Sequence, residues 1–498
     1  MAAELFDLRP ALAPLVSAVC AGLVMLVGYR PGWRATLAIA AAVLKFGLVW
    51  SMLPGALAGT SYTISFGEIL PGLEFAFRVD ALGLFFALVS STLWIAATIY
   101  ALAYMRGRPG QQRFFGFFSL CVSTTVGIAF AENLLTLFVF YELLTVCTYP
   151  LLMHDGGLKA RRAGRRYLVY TLSGGALILA GMLVIWHQAG TLSLGGTGIL
   201  GGVDNPNTLL TIFVLLAAGF GVKAAIMPLH AWLPAAMVAP VPVSALLHAV
   251  AVVKAGAFGL LRLIYNVFGV DLMRELGYAD VLGAIAAVTI LLASVIALRQ
   301  QKIKGLLAWS TISQLSYIVL AACLLTPAAA MASIIHLANQ AFAKITLFFA
   351  AGVIERGTGA TRIDELDGIG YRLPMVMTAF SIASLSFIGV PLLAGFITKW
   401  YLSLGALQAG AGIYVWVLAA SAVLNAAYWL PILYRAWFRR PQSNGRATRP
   451  VSLLMRLPTL VCAVYVVILG IGAEAPAMPF ALAESAARFA FGMLGVAR

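Results

Sequence analysis

Fourteen apolar runs occupy most of the chain, near residues 11–29, 35–53, 80–105, 113–131, 133–153, 166–187, 208–232, 242–265, 279–298, 305–325, 328–354, 374–404, 412–437 and 451–472. A helix needs about 20 apolar residues to cross a bilayer, and in lipid its backbone must find every hydrogen bond internally. Runs of that length, one after another, predict an all-α polytopic membrane protein with about 14 transmembrane helices, spans 1 to 14. A composition that is 62% hydrophobic and 10% charged agrees with this.

The net charge of +15 is unevenly placed. Nearly all loop arginine and lysine falls in six alternate connections: Arg30 and Arg34; Arg106 to Arg113; Lys159 to Arg166; Arg299 to Lys304; Arg356 to Arg372; and Arg435 to Arg456. The opposite connections hold only Arg78 and Arg274. By the positive-inside rule the basic side faces the cytoplasm, so a multi-pass protein of a bacterial inner membrane is expected, with both termini outside. The charge is thus a topology signal and does not mark a nucleic-acid binder. The first residues, MAAELFDL, are acidic and predict no cleavable signal. The five cysteines lie scattered in apolar runs without a CxxC pair, which predicts small buried residues.

One stretch, GFGVKAAIMPLHAWLPAAMVAPVPVSALLHAVAVVK from Gly219 to Lys254, conflicts with a simple span. A charge near the bilayer centre costs about 2.5–3.5 kcal/mol on insertion scales, and proline frees backbone groups that lipid cannot satisfy. Snorkelling would need a helix end, yet Lys223 follows most of a span. The stretch reads as a polar site built inside the membrane, with Pro228, His230 and His248 beside the lysines. Span 12 repeats the design: SLSFIGVPLLAGFITKWYL places Gly389, Pro391 and Gly395 before Lys399. Two broken, lysine-bearing spans in the two halves point to a transporter built from inverted repeats.

Of eight lysines, five (Lys45, Lys223, Lys254, Lys344, Lys399) fall inside spans, whereas of 25 arginines only Arg262 does, near an end. Fixed charge would be served equally by arginine. A desolvated lysine gives up its proton far more readily, and arginine does not. The bias therefore favours proton exchange. Glu142, about ten residues into span 5, is the acid placed deepest in any span and the natural counter-charge. In span 11, at about 100° per residue, His336, Gln340 and Lys344 form a polar line. The hydroxyls of span 10 read equally as helix glue or a water path.

A sodium site would need several oxygen ligands, and the interior offers one carboxylate. His230, His248 and His336 stand on separate segments without HExxH, so no metal is expected. No flavin, iron–sulfur or nucleotide motif appears, so no cofactor is expected and redox chemistry would belong to partners. Spans 1 and 2 and the stretch to Gly72 read as peripheral, Asp80 and Arg262 as interfacial, the Gly-rich 190–207 loop as without chemistry, and 477–495 as an outer amphipathic helix.

The stretches FVFYELLT, GFGVKAAIMPLHAWLP, APVPVSALLHAVAVVKAG, IKGLLAWSTISQLSYIVL, HLANQAFAKITLFF and GVPLLAGFITKWYL resemble the antiporter-like subunits of respiratory complex I and of Mrp-type cation/proton antiporters, most nearly the D-type member of the latter. The resemblance implies two inverted five-helix repeats, spans 4–8 (113–267) and 9–13 (268–440), with broken helices 7 and 12, between three N-terminal helices (1–112) and a last helix with its tail (441–498). It implies a proton path through Glu142, Lys223, His248, Lys254, Lys344 and Lys399, with His230, His336, Gln340, Pro228 and Pro391 in support. Implied partners are other membrane subunits and the lipid bilayer, with protons as cargo and sodium or potassium handled through a partner. Two departures stand out: Ala235 follows Pro234 where many relatives carry an acid, and Gln340 stands where many carry histidine. The alternatives are a proton-pumping membrane subunit of complex I or of a hydrogenase-linked complex, and a stand-alone solute transporter.

Overall fold

The structure, a computed structural model, describes residues 3–70, 72–440, 449–472 and 479–493. Among them, twelve helices are long and apolar enough to cross a membrane: Arg9–Val27, Pro31–Leu57, Ala81–Tyr104, Leu134–Leu152, Gly157–Ala189, Pro206–Ala224, Val241–Phe268, Tyr278–Leu298, Ile303–Cys323, Pro327–Thr358, Ile413–Phe438 and Leu453–Ile471. These are spans 1–3, 5–11, 13 and 14. The sequence predicts two more. Span 4 is the helix Gln111–Ala129, made less apolar by Gln111, Gln112, Arg113 and four hydroxyl residues. Span 12 is two helices, Pro374–Ile388 and Ala394–Gln408, of 15 residues each. At 1.5 Å per residue neither half crosses about 30 Å alone.

Local chemistry starts the spans where the sequence turns apolar. Asp80, Asn133 and Thr326 each accept a backbone N–H of the first turn of spans 3, 5 and 11. Pro206 and Pro327 occupy first-turn positions where no N–H is needed.

The spans form an inner set and a surround. In spans 8 and 11 the whole of the most apolar stretch is buried, and 94% of it in span 10, against 28% in spans 2 and 13. Exposed leucines, valines and tryptophans on the surrounding spans suit lipid or another apolar surface. The inner spans are also the polar ones, so their side chains cannot reach lipid and must be met by one another.

The basic connections meet at one end of the bundle. Lys304 Nζ donates to Ala239 O at 3.0 Å, Arg362 to Gln301 at 3.1 Å, and Arg435 pairs with Asp367 at 3.1 Å. Arg446 of the last basic connection lies outside the described residues.

Two expectations need correction at the other end. A three-stranded sheet, β1 (Ala3–Phe6), β2 (Thr60–Leu70) and β3 (Leu73–Val79), stands where the sequence reads as a peripheral stretch in an all-α chain. β1 pairs parallel and β3 antiparallel with β2. Alternation in SYTISF, which buries Tyr62 and Ile64, is the overlooked signal. Arg262 does not reach an interface: it is 2% exposed and grips both oxygens of Asp80, at 2.5 and 2.8 Å. A buried guanidinium must be paired, and Asp80 is the acid within reach. The Gly-rich loop, read as without chemistry, is held in place by Asn266, whose side-chain amide donates to Leu194 O and Gly196 O.

The helix Pro479–Ala490 packs its buried Leu482, Ala483, Ala486 and Ala487 on spans 3 and 11. Positions 477, 478, 494 and 495 of the expected outer helix, and both chain ends, lie outside the described residues.

Candidate functional site

Close packing of spans 6, 7 and 8 through glycine puts the first group together. A Cβ on Gly174 would lie 3.0 Å from Gly219 O, and one on Gly256 only 2.5 Å from Lys223 C. Glycine is what lets these backbones approach. Span 7 ends at Ala224, with Ala225 in the left-handed region at φ 58°. The Val222 carbonyl accepts the Ala225 N–H at 3.1 Å and also the indole N–H of Trp232 at 2.7 Å. Pro228 and His230 occupy the irregular segment that follows. Pro228 is exposed, and half-buried His230 lies against Trp309 with ring centroids 5.2 Å apart.

Lys223, the penultimate residue of span 7, is fully buried. Its Nζ donates to Tyr141 O at 2.5 Å and sits 3.4 Å from the centre of that residue's ring. Tyr141 precedes Glu142, so the ammonium is held one residue from the carboxylate. Glu142 and Lys223 lie within electrostatic reach of each other, though no ion pair within 4.0 Å joins the two among the described residues. Glu142 turns toward span 6, where only glycine fits: a Cβ on Gly175 would meet its Oε1 at 2.5 Å. That Oε1 is buried without a hydrogen-bond partner.

Span 8 carries the next group. His248 and Lys254 fall on different faces of an ideal helix, but span 8 is not ideal: Leu246–Val250 is a wide π-helical turn. Such turns recur at functional sites because they re-aim side chains. Both ring nitrogens of His248 and the Nζ of Lys254 are buried with no protein partner. Lys344 on span 11 lies within electrostatic reach of both. Its Nζ donates to Ser310 Oγ of span 10 at 2.6 Å and faces the Phe387 ring at 4.6 Å. Gln340 donates to His248 O at 3.3 Å, an amide tie and no titrating link.

His336 takes a larger place than the sequence suggests. The charges of Lys254 and Lys399 both reach it. Its Nδ1 is 3.1 Å from Thr398 Oγ1, the residue beside Lys399. Asn339 braces the same spot, donating to Thr398 Oγ1 at 2.8 Å and Ala394 O at 2.7 Å. His336 is thus tied to the helix that carries Lys399.

Span 12 breaks at Gly389, φ 98°, and Leu392, φ 70°, with exposed Pro391 between them. Lys399 reaches back across the break and donates to Phe387 O at 3.0 Å and Ile388 O at 2.6 Å. The lysine caps the open end of the helix before it. Lys45, the fifth lysine, is buried in span 2 over Trp94, at 5.2 Å, and has no role in this line.

Tyr141, Trp232, Asn339, Thr398 and Asn425 were not singled out by sequence. Tyr141 acts through its backbone and gives no signal. Asn425, the one amide in the run IYVWVLAASAVLNAAYWL, could have been found by the rule applied to Glu142.

A family model described as NADH:quinone oxidoreductase/Mrp antiporter, TM, matches residues 131–425, and one described as NADH-ubiquinone oxidoreductase (complex I), chain 5 N-terminus, matches 71–115. An NADH-quinone oxidoreductase subunit N from Desulforudis audaxviator is 34% identical over 76% of this chain and 78% of its own. The A/B component of a probable K(+)/H(+) antiporter from Rhizobium meliloti is 32% identical over 75% of this chain and 38% of its own. A chain in the structure of the Mrp complex from Dietzia sp. DQ12-45-1b is 28% identical with a TM-score of 0.83, covering 97% of this chain and 52% of that one. A chain of the membrane-bound sulfane sulfur reductase, an archaeal respiratory membrane complex, superposes with a TM-score of 0.87 over 98% of this chain and 99% of that one; at 24% identity it speaks to fold alone. The chain thus spans about half, or less, of the two antiporter relatives.

Proposed function

Because the chain belongs to the family of antiporter-like membrane subunits shared by NADH:quinone oxidoreductase and Mrp antiporters, we propose that it moves protons along its buried line of lysines and histidines. The observation that carries this is a pair of titratable residues without protein partners in the buried interior of the bundle. Lys254 Nζ and both nitrogens of His248 are buried and unpaired. A static buried charge is costly unless paired. Groups left free to exchange a proton are the economical alternative.

The proton loads at Lys223 under the control of Glu142, passes Lys254 with His248, and reaches Lys399 by way of His336, with Lys344 as a side branch. Closing a Glu142–Lys223 pair to about 4 Å is worth on the order of 4 kcal/mol at an effective dielectric constant near 20, enough to decide whether the amine keeps its proton. The open arrangement, with Lys223 on Tyr141 O, is the one that favours release.

The chain serves as one member of a complex of several membrane proteins in a bacterial inner membrane, with its basic end in the cytoplasm and both termini outside. Residues 113–267 and 268–440 form its two inverted repeats, for which the broken spans 7 and 12 are the support. The finer assignment is the D-type member of an Mrp-type monovalent cation/proton antiporter, favoured by lysine at the span 12 position, with the coupled cation passing through a partner. The match to a subunit N over most of that protein's length supports a second reading, a proton-pumping subunit powered by a partner's redox chemistry.

The test is transport by the assembled native complex in sealed vesicles. Glu142→Gln and Lys223→Ala should each lower proton transport by at least about a hundredfold while the complex still assembles, as expected for losing a term of a few kcal/mol. Normal rates in an assembled variant would remove that residue from the path.

A further inference from the structure

Lys399 does not hold the Phe387 carbonyl alone. On span 13, fully buried Asn425 donates its side-chain amide to the same oxygen at 3.1 Å, beside the lysine's bond at 3.0 Å. Behind it, the Tyr428 hydroxyl donates to Asn425 Oδ1, which leaves the Asn425 amide nitrogen to face the break. A carbonyl has two lone pairs, and here both are used. The neighbouring Ile388 carbonyl relies on Lys399, at 2.6 Å.

An ammonium has three N–H groups, and two of the Lys399 donors are committed to the break. Only the third can pass on as a proton, after which the neutral amine still has two N–H groups for the two carbonyls. A neutral amine is the weaker donor, because hydrogen bonds from charged groups are roughly twice as strong. At that moment the Phe387 carbonyl depends on Asn425 to stay where it is.

We propose that Asn425, oriented by Tyr428, is a positioning residue that fixes the Phe387 carbonyl and so keeps Lys399 at the span 12 break through its protonation cycle. This rests on the reading of Lys399 as a proton-exchanging group. The surroundings make the arrangement sensitive to charge. Span 11 turns His336 and Lys344 toward this region, span 10 Tyr317, and span 13 Tyr428. Span 14 carries Cys462 and Tyr465, and the first half of span 12 has no titratable side chain. The acid these spans share is Glu355, near the basic end of span 11. Among the described residues no carboxylate pairs with Lys399, and Asn425→Asp would place one within the ~4–6 Å over which opposite charge favours the protonated ammonium.

The experiment measures proton transport by the assembled complex across a pH series for Asn425→Asp, Asn425→Leu, Tyr428→Phe and Lys399→Met. Asn425→Asp removes the donor to Phe387 O and sets a carboxylate near Lys399, so it should lower the rate, as Asn425→Leu does, and in addition move the alkaline limb of its profile upward by about one pH unit, a scale usual for an opposite charge at this range. Asn425→Leu should lose about tenfold or more in rate, the effect of one hydrogen bond in a charged network, and Tyr428→Phe should lose less. A native profile in Asn425→Asp, or a uniform fall in rate with no shift, overturns the proposal. So does a native rate in assembled Asn425→Leu. Asn425→Asp is nearly isosteric, so it decides the matter if the leucine variant fails to assemble. Full transport in assembled Lys399→Met would instead bring down the proton role of Lys399, and this inference with it. A dead Lys399→Met beside native Asn425 variants would remove the inference alone.

Discussion

The two broken spans solve one problem in opposite ways. Span 7 ends at Ala224 and shares its Val222 carbonyl between the Ala225 N–H and an indole, Trp232. Its lysine is thereby released from structural duty, and reaches across to Tyr141 O on span 5. Span 12 stops at Gly389 and uses the lysine itself as the cap, with Asn425 in support. A residue that caps a helix break is part of the fold, whereas one bonded to a neighbouring helix is a removable guest. Equal chemistry at the two lysines therefore comes with unequal structural cost.

The largest effect should appear in transport at Lys399. Arginine keeps the charge but cannot release it at neutral pH. Glutamate reverses the charge yet restores a titratable group, though it loses the donors that cap Phe387 O and Ile388 O. If proton exchange governs, Lys399→Glu should keep more transport than Lys399→Arg or Lys399→Met, with a moved pH optimum. A pH series of transport rates on assembled variants reads this. Arginine as the best of the three would turn the lysine into a fixed charge.

Stability should separate the two lysines next. Lys399→Met leaves the Ile388 carbonyl without its donor and weakens the hold on Phe387, for a loss of about 1–3 kcal/mol. Lys223→Met should cost less, because Tyr141 O is a mid-helix carbonyl that also has the Thr145 hydroxyl at 3.4 Å. Reversible unfolding of the two variants in the same detergent would compare them. Equal losses would erase the distinction between cap and guest.

The smallest effect tests the indole. Trp232→Phe keeps most of the apolar bulk but removes the N–H on Val222 O, a loss of about 0.5–1.5 kcal/mol. It should loosen the end of span 7 and lower transport a few-fold without abolishing it. Hydrogen exchange at residues 222–226 would show the loosening, and unchanged protection there would deny the indole its capping role.

Much of this was legible before any coordinates. Apolar run length and loop charge separate the spans, and the cost of lysine in lipid points to the lysines that the structure buries, among them Lys223, Lys254 and Lys344. What stayed hidden is pairing that depends on angle and backbone. The sequence makes Glu142 the natural counter-charge of Lys223; it cannot show that a backbone carbonyl next to the acid takes the lysine's hydrogen bond. It gives His336 a minor place because spacing along span 11 treats its three polar residues alike, while Thr398 on another helix tells them apart. Arg262 reads as interfacial because its partner, Asp80, is 182 positions away in the chain. Short strands between long spans are lost for a similar reason, since their alternation is brief beside the hydropathy signal around them.

Span 8 is tethered at both ends. Near its start the Ala239 carbonyl is held by Lys304, and near its finish Arg262 is locked on Asp80 while Asn266 grips the glycine loop. A rod pinned at both ends cannot slide like a piston. It can only twist, and the slack for twisting lies in its two π-helical turns, one at its pinned finish, Leu263–Phe268, and one at Leu246–Val250, which carries His248 and sits one turn ahead of Lys254. Any motion passed along the molecule through this span would arrive as torque on those two side chains, with the ends of the helix standing still.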